Sequence, residues 1–174
     1  MTSKAKAYWS IWIGLWTGIY VLLYLLSPLA KYGIIWCTFI ALPIFFNGGA
    51  LRKDYIPQML CSCIGVLWGV VIFAGTNFLA NKLGMGDVSS NALSCGFFTI
   101  TCCLMMIFKD KTLINKVPAM FGGISACFSQ GAARDRLIPV MITLCLGVTL
   151  GLICNEGGPL CAKLAGDKKN AEEE

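Results

Sequence analysis

Apolar runs of roughly 20 residues, long enough to cross a bilayer core as a helix, recur along almost the whole chain with only short charged breaks between them. No water-soluble domain of 174 residues needs 57% hydrophobic and only 13% charged side chains. The pattern therefore specifies an all-α integral membrane protein whose first partner is the lipid bilayer. Hydropathy predicts six transmembrane helices, at residues 8–27, 33–46, 56–80, 91–108, 117–128 and 138–161. Only Lys4 and Lys6 precede the first, and no small-residue cleavage site follows its apolar run, so it is expected to be a retained helix and not a signal peptide.

With the N-terminus inside, ten of the 14 Lys and Arg residues fall in cytoplasmic segments, against Lys31, Lys82, Arg134 and Arg136 outside. Both termini are then expected in the cytoplasm: residues 1–7, and a charged tail at 163–174 whose end, 172–174, is acidic. The net charge of +5 reports this topology, and no basic stripe is left over to bind nucleic acid.

The chain also repeats itself. At an offset of 82, eleven of 27 positions are identical, without gaps, between residues 46–72 and 128–154; chance gives about two. The same offset pairs Gly14 with Gly96 and Thr17 with Thr99. The expected organisation is one three-helix repeat at 8–80, a periplasmic connector at 81–90 containing "LGMGDVSSN", and a second three-helix repeat at 91–162. Three is odd, so the copy crosses the membrane in the opposite sense. Inverted repeats of this kind recur in transporters and channels, where short or broken helices in matching positions mark the permeation path.

The second span of each repeat fits that description. Its apolar run is roughly 14 or 12 residues, about 21 or 18 Å of helix, and then breaks at "NGGA" or "SQGA". Backbone freed at a break inside lipid is costly, so the breaks are expected to face protein or water. One reading makes Asn47, Gly48, Gly49, Ser129, Gln130 and Gly131 the polar lining of a pore; the other makes the glycines ordinary helix C-caps. Just past each break stands an arginine, Arg52 or Arg134, whose neighbours exchange sign: Lys53 aligns with Asp135 and Asp54 with Arg136. These arginines either line a vestibule or snorkel from a helix end and pair with an adjacent Asp. Glu156, near the inner end of the last span, is a proton or cation site or a boundary residue.

Three G-x-x-x-G pairs, Gly14–Gly18, Gly65–Gly69 and Gly147–Gly151, put small residues on one helix face and mark packing within the unit or between subunits. Six short helices enclose little, so a homo-oligomer is expected. The ten cysteines lie in or beside apolar spans without the C-x-x-C spacing of a zinc site, and the chain has no histidine. They read as packing residues, with no metal and no cofactor. Tyr8, Trp9 and Trp12 read as interfacial anchors. Neither a carboxylate pair nor a nucleophile–base pair can be picked out, so the chain is not expected to be an enzyme.

The stretches "GIIWCTFIALPIFFNGGALRKDYIP", "GVLWGVVIFAG" and "KVPAMFGGISACFSQG" resemble the small bacterial inner-membrane proteins grouped as domain of unknown function 1097. The likeness spans most of the chain from the second span onward. It implies a bacterial inner-membrane location and a multi-span helical fold, and it carries over no activity and no binding residues. The expected function rests on the repeat: a channel or transporter for a small polar solute, with two symmetry-related constrictions at the glycine breaks. The alternative is a non-transporting scaffold or assembly partner that packs through its G-x-x-x-G faces, with a membrane enzyme third.

Overall fold

The computed structural model describes residues 1–104, 107 and 113–167. Lys109, Lys111, Lys168, Lys169, the acidic 172–174 and the end of the fourth predicted span lie outside the described residues. Among the described residues there are six α-helices and no strand: α1 Ser3–Leu26, α2 Thr38–Asn47, α3 Tyr55–Leu83, α4 Asp87–Leu104, α5 Val117–Ser129 and α6 Arg134–Leu164. Each overlaps one predicted span. Three segments, Ser3–Leu26, Arg52–Leu83 and Arg134–Leu164, are long and apolar enough to cross a membrane, while α2 and α5 are shorter apolar helices. The first half of α4 is more polar, with Asp87, Ser89, Ser90 and Asn91. Only the three residues 84–86 separate α3 from α4, which begins at Asp87.

Local signals set the helix ends. Thr2 caps α1 by accepting a hydrogen bond from the Ala5 amide. Ser27, extended before Pro28, stops α1 and caps the 3-10 turn Pro28–Tyr32. Gly84, in the left-handed region at φ 65°, ends α3.

Packing is organised around α3 and α6. Their contacts pair Cys63 with Cys145 (Sγ–Sγ 3.6 Å), Tyr55 with Thr149 (2.9 Å) and Arg52 with Glu156 (2.6 Å), so the two helices run antiparallel. Against α3 lie α4 and α5; against α6 lie α1 and α2. Each long helix is thus covered by two helices from the other half of the sequence.

The individual contacts recur at the offset of 82. A Cβ on Gly65 would strike the Met120 backbone (2.7 Å from its carbonyl carbon), and one on Gly147 would stand 2.5 Å from the Thr38 carbonyl oxygen. Gly69 is closed by Cys127 at 2.6 Å and Gly151 by Phe45 at 3.0 Å. Gly75 meets Ser94, and Gly157 meets Trp12. Cys102 touches Met120, and Tyr20 touches Thr38. In every pair the second contact joins the two residues shifted by 82 from the first, and Cys63–Cys145 maps onto itself.

Cys145 lies near the middle of the stretch from Arg134 to Asn155, which at 1.5 Å per residue is about 31 Å long, close to a hydrocarbon core. The first residue of α2, Thr38, sits beside Thr143 and Gly147 in that middle, and Ala50 beyond its end reaches Asn155. Helix α2 therefore covers half the length of this stretch, parallel to it. At the α1–α6 end, the Thr2 amide donates to Asp167 at 2.6 Å, so Thr2 and Asp167 lie at one end of the molecule.

Candidate functional site

The glycine breaks are complete helix caps. After α2, the Gly49 amide donates to the Phe46 carbonyl (2.9 Å) and the Ala50 amide to the Phe45 carbonyl (3.0 Å); after α5, Gly131 donates to Phe128 (3.0 Å) and Ala132 to Cys127 (3.1 Å). This is the Schellman pattern, which satisfies the last carbonyls of a helix from within. It demands a left-handed residue, met by Gly49 (φ 89°) and Gly131 (φ 60°); Ala50 (φ 48°) and Ala132 (φ 53°) follow in the same region. Asn47, Gly48, Gly49, Ser129 and Gly131 are exposed. The two breaks also lie at opposite ends of the 31 Å stretch of α6, since Ala50 reaches Asn155 while Ala132 stands two residues before Arg134. At both breaks the freed backbone has internal partners, so the breaks are capped helix ends.

Around the first break the polar side chains converge. The Asn155 amide donates to the Ala50 carbonyl at 3.3 Å, and Arg52 grips Glu156 through Nε and Nη2, each at 2.6 Å. Together with Leu51 and Pro159 these residues line a cavity of about 450 Å³, and a neighbouring cavity of about 400 Å³ is lined by Met1, Trp9, Asn155, Gly158, Pro159 and Ala162. Arg52 thus pairs across 104 residues with Glu156, and the Asp expected beside it, Asp54, binds Lys116 at 2.7 Å instead. Around the second break Gln130 accepts from Arg136 at 2.7 Å, and Arg134 makes no hydrogen bond or ion pair among the described residues. The positions that match Asn155 and Glu156 are Phe73 and Ala74, and Phe73 packs edge-on against Phe128 at 5.3 Å. One end of the fold carries a polar clasp where the other carries an aromatic one.

The Arg52–Glu156 side chains are 79% and 40% exposed, so their Coulombic gain is screened despite the two-pronged geometry. Glu156→Gln is expected to lower stability by less than about 1 kcal/mol, and exchanging the two charges (Arg52→Glu with Glu156→Arg) to recover most of that, both read from thermal unfolding of the purified protein.

Deeper in the protein lies a hydroxyl chain that the sequence reading missed. Tyr20 OH contacts Thr38 Oγ1, which donates to the Thr143 carbonyl at 3.4 Å; Tyr24 OH lies 3.2 Å from Thr143 Oγ1, which donates to the Pro139 carbonyl at 2.8 Å. Each threonine hydroxyl spends its proton on a carbonyl, so each tyrosine must be the donor to it. The phenolic oxygens retain free lone pairs. Thr38 and Thr143 are fully buried and Tyr24 is 3% exposed. The group surrounds the N-terminus of α2 beside the midpoint of α6. In the second half the matching residues are Cys102 for Tyr20, Met120 for Thr38 and Cys61 for Thr143, so an identity scan passes over them.

The glycine pairs divide. Gly65, Gly69, Gly147 and Gly151 are each pressed against a neighbouring helix, as are Gly123 against Ser62 and Val66. Gly14 and Gly18 have nothing within 4 Å. Among the described residues no three His, Cys, Asp or Glu side chains gather into a metal-ligating group, and all ten cysteines are free thiols.

No curated protein and no solved structure matches the chain. A family model does, over residues 10–158, which takes in the first helix as well as the region from the second span onward. With most of its length matched, from the middle of α1 to the Asn155–Glu156 clasp, the chain belongs to the family described as "Protein of unknown function (DUF1097)".

Proposed function

We propose that this protein crosses the bacterial inner membrane six times, both termini cytoplasmic, as two inverted three-helix repeats, and that it conducts a small polar solute along the seam between α1, α2 and α6. The observation that carries the reading is the recurrence of interhelical contacts at the offset of 82 about the antiparallel Cys63–Cys145 crossing. Under this arrangement the crossing marks the midplane, and the half-length helix α2 begins there with its N-terminal dipole turned toward the hydroxyl chain. Buried polar side chains at membrane depth are costly and mark solute paths. Tyr20 and Tyr24 offer acceptor oxygens to a solute that brings hydrogen-bond donors, and the cavities beside Trp9, Asn155 and Arg52 form the cytoplasmic mouth. Asn47 and Arg52 flank that mouth; Gln130 and Arg134 flank the opposite one.

The test is flux. Proteoliposomes challenged with a panel of small polar solutes are expected to pass at least one faster than empty vesicles. Tyr20→Phe and Tyr24→Phe should each slow it about tenfold, the worth of one hydrogen bond to a bound solute, while lowering stability by only about 1 kcal/mol through the lost hydrogen bond to threonine. Equal rates in wild type, variants and empty vesicles would remove the transport reading.

A second reading, a scaffold or homo-oligomer, is favoured by one observation: the Gly14–Gly18 face of α1 is open, on a helix segment only 6% buried. Small residues at this spacing let a second backbone approach.

A further inference from the structure

The hydroxyl chain has a counterpart built from sulfur. At the positions shifted by 82, Cys102 Sγ lies 3.8 Å from Met120 Sδ, as Tyr20 lies against Thr38. Cys61, which matches Thr143, joins them in one apolar cluster, and all three residues are fully buried. Their backbones are fixed independently. Cys61 stands on α3 four residues before Gly65, the glycine on which Met120 of α5 rests, and Cys102 stands on α4, which packs against α3 through Ser94 and Phe98.

We infer that Cys61, Cys102 and Met120 form a binding site for a soft monovalent d10 cation, copper(I) or silver(I). Two thiols and a thioether are the donors such ions select over harder ligands. Two sulfurs each about 2.3 Å from a shared ion and 3.8 Å apart subtend an angle of about 110°, within the range of a three-coordinate sulfur site. Zinc would ask for a fourth ligand, and among the described residues no third His, Cys, Asp or Glu side chain gathers with Cys61 and Cys102. Binding exchanges the two thiol protons for one cation: both S–H bonds break, two S–metal bonds form, the thioether adds a third, and the oxidation state of the metal is unchanged. Near the start of α5, Cys61 Sγ accepts a hydrogen bond from the Lys116 amide at 3.3 Å and donates to the carbonyl of the exposed Leu113 at 3.8 Å. The site does not depend on the transport reading, since it uses the half of the fold opposite the hydroxyl chain.

Reduced protein in nanodiscs, titrated anaerobically with copper(I) against bicinchoninate, tests it. The wild type is expected to withdraw a sulfur-bound equivalent that survives Cys63→Ser with Cys145→Ser, the other close thiol pair. That equivalent should weaken about 100-fold or more in Cys102→Ser and in Met120→Leu. Met120→Leu keeps the volume, so silver(I) provides a second readout: it should raise the thermal midpoint of the wild type and leave that of Met120→Leu unmoved. Absence of binding by the wild type, or binding lost with Cys63 and Cys145 but retained in Cys102→Ser and Met120→Leu, would overturn the assignment.

Discussion

Gly147→Leu is expected to cost more than about 3 kcal/mol, and Gly65→Leu a similar amount, enough to leave little folded protein after detergent extraction. A Cβ at Gly147 would stand 2.5 Å from the Thr38 carbonyl oxygen, 2.9 Å from its Cα and 3.0 Å from the Ala41 Cβ. At Gly65 the obstacles are the Met120 carbonyl carbon and Cα, both at 2.7 Å. These are backbone atoms and one alanine Cβ, so no rotamer change relieves the clash and the helices must move apart. Separation would undo the α2–α6 or α3–α5 seam, including the fully buried Thr38, Val66, Leu144 and Val148. Leucine is the better test than alanine, because both regain about 1 kcal/mol of helix propensity and only leucine adds a side chain far too large for the closed seam. The control is on the same molecule: Gly14→Leu and Gly18→Leu meet nothing within 4 Å and should not lower stability. A Gly147→Leu variant that melts with the wild type would mean that α2 and α6 do not pack as described.

Those same glycines show how far the sequence can be read. Gly65–Gly69, Gly147–Gly151 and Gly14–Gly18 share one spacing, and spacing alone does not tell which face turns inward. Only the long-range partners Met120, Cys127, Thr38 and Phe45 separate the first two pairs from the third. The helices were legible because apolar length is a local property. At the breaks, identical residues at Gly49/Gly131 and Ala50/Ala132 recur because a left-handed cap requires them, so that identity marks backbone geometry. Chemistry shows instead where the halves differ, with Tyr20 against Cys102, Thr38 against Met120 and Thr143 against Cys61, the positions an identity scan discards. Partners distant in sequence were illegible for a similar reason. Asp54 is the nearest acid to Arg52 along the chain, yet the fold gives Arg52 to Glu156 and Asp54 to Lys116.

The central claim is that the two halves are inverted in the membrane, and it predicts opposite fates for two matching positions. Asn47 and Ser129 are both exposed and both close a half-length helix, one residue before the cap. They lie at opposite ends of the 31 Å stretch of α6, a separation that matches a bilayer core and puts each at a different surface. In a cysteine-depleted background, Asn47→Cys and Ser129→Cys can each be challenged with a membrane-impermeant maleimide from either side. The account predicts that Asn47→Cys reacts only from the cytoplasmic face of inverted vesicles and Ser129→Cys only from the periplasmic face of spheroplasts. Labelling of both from the same side would contradict it.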